Sequence, residues 1–405
     1  MASTYNVARL GRIAIKSQSA WGTAETSGFT ALECEAALPP TGREIHEKYG
    51  TTITGGHYYL KPVDGSQFGQ EFSITMPLHG WSSAPGVASP ADHPEALILA
   101  SILGAKSLQS YVAAGVSGSG STSTTLDVLN AGSFASGQAV GFYNTDTTPL
   151  FQAGFITETT TAGAPDTLTL STAFTGSIAD STSVHGANTC YLSTDDITQF
   201  FTIEWRSVVN NSRVLLDSCV PSSVELTLGA KGQPMISVTF VCNGMTADDD
   251  SADLGATTFS YPTLPAAIGN NSARLVRGTT TATAAHDFSI AISQSLAPRL
   301  DHNAASGVAG VVATERTVTC TFNELLTAEP NLSTDTSETR IFLQLGSGAG
   351  NTMCVYMPEP VLTAVGDLTD SEGLIAQSKS YQPGSHTQDE GSTAPADTDF
   401  RISFL

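Results

Sequence analysis

Apolar and polar residues alternate over long stretches of this chain, the period of a strand with one buried face. Between Ser222 and Asn243, Val224, Leu226 and Leu228 alternate with polar neighbours, residues 229–234 turn the chain, and Ile236, Val238, Phe240 and Cys242 alternate on the return. That pattern predicts a β-hairpin. Val318, Cys320 and Phe322 repeat the period between Thr314 and Thr327, and Phe72, Ile74, Met76 and Leu78 do so between Phe68 and Gly80, with a neighbouring strand expected over Ile53–Leu60. The clearest helical segment is His93–Leu103: Pro94 and Glu95 suit a first turn, and Gly104 suits the stop. Its high apolar content predicts that it lies against a sheet.

The texture changes along the chain. Val116–Thr125 is a Ser/Thr/Gly-rich stretch that reads as a hinge. Short strands follow at Thr125–Leu129, Ala139–Tyr143, Phe151–Thr157, Thr167–Leu170 and Ser183–Leu192, divided by Gly, Asn, Asp and Pro turns. This spacing predicts a small β-barrel or sandwich. Longer strands resume at Phe200–Val209 and recur near Ala273–Arg277, Asp287–Gln294, Thr339–Leu345, Met353–Pro358 and Thr398–Leu405, while the polar stretch Leu374–Thr398 reads as a loop or flexible arm. The expected organisation is therefore an N-terminal β region over 1–115, an inserted β-module over 116–195 and a C-terminal β domain over 196–405.

A chain of 405 residues, 40% of them hydrophobic, is long enough for two or three cores. Only 14% are charged, so small hydroxyl residues fill outward strand positions. Lys and Arg number 17 against 38 Asp and Glu, a net charge of −21. No basic run is present to replace counterions, which argues against tight nucleic-acid binding. A wall that repels phosphate would still let a duplex slide past without sticking. No run of 18 apolar residues is present, so no membrane-spanning helix is expected. Residues 1–10 lack the pattern of a signal peptide, and folding in a cytoplasm is expected. The six cysteines have no C-x-x-C spacing and read as buried free thiols.

Chemistry-bearing constellations are sparse. Asp248, Asp249, Asp250 and Asp253 gather hard oxygen ligands in one acidic loop, but without the order of a calcium-binding loop, so a solvated loop is the better reading. The eight histidines show no metal-ligand spacing. Gly346–Gly350 lacks the Lys-Ser/Thr of a phosphate cradle and reads as a hairpin loop. Gly118–Thr122 is not a nucleophile elbow between strand and helix. No catalytic residue, cofactor or metal is expected.

The order of elements resembles the phage tail tube proteins of long-tailed bacteriophages. The matching pieces are Lys16–Ala24, the Phe68–Gly80 strand, the Leu97–Gly104 helix, Phe201–Trp205, Val220–Gly244, Phe288–Ile292, Arg316–Phe322, Ile341–Leu345, Tyr356–Pro358 and Phe400–Leu405. The likeness covers about three quarters of the chain, omits the insert, and rests on order rather than on any single motif. It implies a virion protein, assembled in a bacterial cytoplasm, whose copies form stacked rings through which DNA passes, with tape measure and terminator proteins as further partners. It also implies β-sandwich tube domains, each flanked by a helix, whose sheets join edge to edge.

Two regions with their own hairpin sets suggest a duplicated tube domain and a trimeric, pseudo-sixfold ring; a hexamer of single domains is the alternative. The expected wall residues are Phe72, Ile74, Met76, Val224, Leu226, Leu228, Val238, Phe240, Val318 and Phe322, with the insert outside and 374–398 as an arm between rings. Other readings are a terminator or minor tail protein, or a carbohydrate-binding or adhesion β-sandwich. The last needs exposed aromatic platforms, and only Trp21, Trp81 and Trp205 are available as tryptophans.

Overall fold

A computed structural model describes residues 11–80, 94–108, 121–248, 274–325 and 340–405, apart from short internal stretches of which 387–394 is the longest. The first region contains β1 (Gly11–Ser17), β2 (Thr30–Ala31), β3 (Ile45–Thr51), β4 (Tyr58–Asp64), β5 (Gln70–Pro77), α1 (Pro94–Leu103) and β6 (Gly104–Leu108). Next come β7 (Thr125–Val128), β8 (Ala139–Tyr143), β9 (Phe151–Thr160), β10 (Asp166–Leu170) and β11 (Asn188–Leu192). The remainder begins with β12 (Phe201–Ser207), β13 (Arg213–Gly229), β14 (Met235–Cys242), β15 (Gly244–Asp248), β16 (Arg274–Arg277), β17 (Thr280–Thr281) and β18 (Ala285–Leu300). It ends with β19 (Val308–Leu325), β20 (Ile341–Leu345), β21 (Met353–Met357), β22 (Pro360–Ser371), β23 (Leu374–Pro383) and β24 (Arg401–Phe404). The protein is mainly β, and its sheets are antiparallel.

Three layers account for most of it. The long sheet has 11 strands, and one run across it reads β5-β14-β13-β18-β19-β23-β22. The middle sheet has seven, ordered β17-β16-β20-β21-β24-β11-β6. The insert sheet has four, ordered β7-β10-β9-β8. Between the long and middle sheets lies one core, in which Phe72, Val224, Phe240 and Phe322 meet Leu343, Val355, Ile402 and Phe404. Helix α1 belongs to that core and all ten of its residues are buried, as expected for a helix without a polar face. It stops at Gly104, whose φ of 105° is in the left-handed region and whose position would bring a Cβ within 3.0 Å of the Ser193 carbonyl.

A second core joins the middle sheet to the insert: Phe342, Cys354 and Tyr356 pack with Phe151, Ala153 and Phe155, and Phe155 stacks on Tyr356 at 5.3 Å. The far side of the insert sheet has a core of its own around Leu126, Phe142, Ile156 and Leu168. Polar side chains fasten the same junction. Gln344 Nε2 donates to the Phe151 carbonyl at 3.0 Å while its Oε1 accepts from the Ala153 N–H at 3.1 Å.

Several expectations need correction. The N- and C-terminal regions do not form separate sandwiches: β1 pairs with β12 and β5 pairs with β14, so the two regions share sheets and a core. Among the described residues α1 is the one α-helix, where a duplicated fold predicts two. The strand expected over 183–192 is shorter, and β11 leaves the insert to pair with β6 and β24 in the middle sheet. The neighbour of β5 is β14; β4 pairs instead with β3 in a two-stranded sheet. The polar stretch beginning at Leu374 is not a loop at first, because β23 pairs on both sides, with β19 and β22. The hinge expected over 116–125 lies mostly outside the described residues.

Candidate functional site: the hydroxyl face and edges of the long sheet

All ten wall candidates, Phe72, Ile74, Met76, Val224, Leu226, Leu228, Val238, Phe240, Val318 and Phe322, are in described strands of the long sheet and are buried in the shared core. Their side chains fix the sheet in place; the residues between them form its surface. Period-two geometry puts those intervening residues on the opposite face.

The register aligns them in rows. One row runs Ser73, Thr239, Ser223, Ser293, Thr317, and the next runs Thr75, Ser237, Glu225, Ala291, Thr319. A third contains Thr227, Ser289, Thr321 and Ser380. Hydroxyls bond across strands: Ser73 to Thr239 at 2.9 Å, Thr75 to Ser237 at 2.9 Å, Ser293 to Thr317 at 2.6 Å and Thr321 to Ser380 at 3.0 Å. Glu225 is the only ionisable side chain in these rows. The described rows form a polar surface of hydroxyls with no aromatic side chain, bordered on the same face by exposed Glu71 and Glu315, opposite to the layer that carries the insert.

The ends of the long sheet differ. At one end, β5 is partly covered, since the Glu35 N–H donates to the Thr75 carbonyl at 2.8 Å. At the other, β22 pairs only with β23 among the described strands, leaving an open edge. The β22–β23 hairpin also exposes apolar side chains, with Val361 50% exposed, Val365 47%, Leu368 46%, Leu374 56% and Ile375 53%, interspersed with exposed Thr363, Asp367, Thr369 and Asp370. Exposed apolar residues beside an open edge form a surface for strand pairing unless covered.

Several titratable groups elsewhere are buried beside charged or polar partners. Between β5 and α1, buried His79 places Nδ1 2.9 Å from Glu95 Oε1 and Nε2 3.4 Å from Glu33 Oε2. Burial pulls the His79 pKa down, but hydrogen bonding and attraction to the two carboxylates outweigh it, and the net direction is upward. Burial raises Glu204 above the usual carboxylate range against the opposing pull of Arg206 and Arg213. Burial also pushes the Cys190 thiol up to about 12. A groove of about 470 Å³ is lined by Ser193, Glu315, Arg316 and Asp399, with Arg316 Nη1 donating to the Ser193 carbonyl at 2.6 Å.

In the acidic loop, the backbone of Asp248 ends β15 opposite Arg213, while Asp249, Asp250 and Asp253 lie outside the described residues. Among the described residues no three His, Cys, Asp or Glu side chains gather as metal ligands. Trp21 packs edge-on to Phe200 at 5.7 Å and donates to the Val308 carbonyl at 3.0 Å, and Trp205 is buried, so neither is a sugar platform; Trp81 lies outside the described residues. Among the described residues no helix is long and apolar enough to cross a membrane. Comparison with protein-family models gives no match, and comparison with curated proteins gives none either.

The expected wall strands were legible from periodicity, but β22 was not. Its Val361, Leu362, Val365 and Leu368 break the period of two, and register shifts at Leu362/Ala364 and Val365/Leu368 show why. The signal available in the sequence was the Val/Leu/Thr content of 361–369 alone.

Proposed function

We propose that this chain is a structural subunit that associates with copies of itself through sheet edges into rings and a tube, as the resemblance to tail tube proteins implies. The observation that carries the reading is the open β22 edge with its exposed valines and leucines. A second subunit would supply the missing backbone partners and cover the apolar side chains. The hydroxyl face suits a conduit wall for DNA: its described rows hold no cation to bind phosphate, and the net charge of −21 disfavours adhesion. The insert is on the other side of the sandwich, which accords with an exterior position. In this reading the stretch over 374–398, which begins with β23, is the arm between rings, the location is the virion tail, and terminator and tape measure proteins are the further partners.

The test is assembly. Purified protein viewed by negative-stain electron microscopy is expected to show rings or tubes, and a chain that stays monomeric at high concentration overturns the reading. V365K together with L368K places charges on the open β22 edge and is expected to abolish assembly. Fold stability should change by no more than about 0.5 kcal/mol, as for surface positions generally. Image symmetry then distinguishes three subunits per ring from six.

A further inference from the structure

β13 is one strand serving two halves of the long sheet. Arg213–Asp217 pairs with β15, and Val220 and Pro221 pair with β14 in the same antiparallel offset, before the register shifts by one residue between Pro221 and Ser223. Between these ladders, continuation of that offset puts Cys219 opposite Cys242. The two sulfurs are 2.8 Å apart, and both side chains are fully buried. Sulfurs in ordinary non-bonded contact stay about 3.6 Å apart, whereas a disulfide bond spans about 2.05 Å, and directly opposed antiparallel residues have the Cα spacing that a disulfide needs.

The surroundings hold the pair still. Ser218, at φ 48°, is the one described non-glycine residue in the left-handed region. Gln18 clamps it: the Ser218 N–H donates to Gln18 Oε1 at 2.8 Å, and Gln18 Nε2 donates to Ser218 Oγ at 3.0 Å. On the other side the Asn243 N–H donates to the Asp217 carbonyl at 3.1 Å. All six cysteines are free thiols in the structure, and outside this pair Cys190, for example, donates to the Ala96 carbonyl at 3.2 Å.

We propose that Cys219 and Cys242 form an oxidisable pair that closes into a disulfide across the junction of β13 and β14, a covalent staple at the bend of the long sheet. The proposal does not depend on self-assembly. The oxidant is a small-molecule disulfide. One cysteine thiolate attacks it, forming a mixed disulfide and releasing one thiol; the second cysteine then attacks the mixed disulfide and releases the other. The protein loses two hydrogens, and the donor is reduced to two thiols. Since both sulfurs are buried, exchange takes place before β14 docks on β13 or when that junction opens.

The test refolds the full chain in oxidised and reduced glutathione, alkylates free thiols under denaturing conditions and maps the peptides by mass spectrometry. A linked Cys219–Cys242 pair is expected, with Cys320 and Cys354 alkylated. The oxidised protein should melt about 3–5 °C above the reduced one, from the entropy of a loop of this length in a chain of this size. C242A should remove that difference. Full alkylation of Cys219 and Cys242, or linkage of either to another cysteine, overturns the proposal. The peptide map of the unsubstituted chain decides this even if C242A fails to fold.

Discussion

The long sheet and the middle sheet draw on the same residue types, yet they read differently because they have different numbers of buried faces. In the long sheet β14 alternates residue by residue between buried and half-buried, and its polar positions meet solvent as a hydroxyl face. In the middle sheet every residue of β20, β21 and β24 is buried. There Leu343 and Val355 point into the core shared with α1, while Phe342 and Tyr356 point into the core shared with the insert. A sheet covered on both sides shows nearly continuous apolar runs; a sheet covered on one side shows alternation. Polar residues in the middle sheet therefore need protein partners. Arg401, fully buried, donates from Nε to Thr398 Oγ1 at 3.0 Å and lies over the Tyr356 ring at 5.5 Å, and Ser403 donates to Thr189 Oγ1 at 2.8 Å.

The contrast can be broken in graded steps. F240A, on the buried side of the long sheet, is expected to cost about 3–5 kcal/mol of stability, read by urea unfolding. A loss below about 1 kcal/mol would mean that the shared core is not formed as described.

Q344L tests the covered face of the middle sheet. It orphans the Ala153 N–H and the Phe151 carbonyl, at about 1–3 kcal/mol for each unsatisfied group. Hydrogen exchange should show lost protection in β9 while β13 and β18 keep theirs. Equal loss everywhere would contradict a separately docked insert.

The layer between the sheets is tested by pH. The folded-state pKa of His79 is raised, so its pairing with Glu95 and Glu33 stabilises fully below its unfolded value of about 6.5 and fades as pH rises through the higher folded value. The melting-temperature advantage of the native chain over H79N should therefore shrink on going from about pH 6 to about pH 8.5. An advantage that is flat or grows with pH contradicts the assignment. The smallest effect belongs to the open face: T239V and S237A should each change stability by no more than about 0.5 kcal/mol, and a larger loss would mean that this face is covered.

Much of this was legible in the sequence where one physical signal dominated. The 93–103 helix matches α1, the hairpin at 222–243 matches β13 and β14, and 139–143 matches β8 residue for residue. What the sequence did not disclose was partnership. Nothing local in Phe72 or Ile74 says that β5 pairs with a strand more than 160 residues away, as the bond from Thr75 to Ser237 requires. For the same reason β11 looked like part of the insert, since sequence neighbours are usually neighbours in space. Polar β23 was missed because its partners, not its own apolar residues, make it a strand. For the candidate site the buried set was legible from periodicity, whereas the open edge was not, because edges depend on sheet order.

The insert leaves the chain after β6 and returns in β11, and those two strands pair with each other from Gly104–Leu192 to Leu108–Asn188. Seen as an evolutionary joint, the whole module occupies the place of a hairpin turn, so a short turn could close the same ladder. Deletion would nevertheless uncover Phe342 and Tyr356. A lineage that dispensed with the module would have to repaint that face with polar residues, and one that exchanged it would need a replacement with an equally greasy underside. The joint is permissive in its topology and exacting in its chemistry, and a graft designed at Leu108 and Asn188 inherits both conditions.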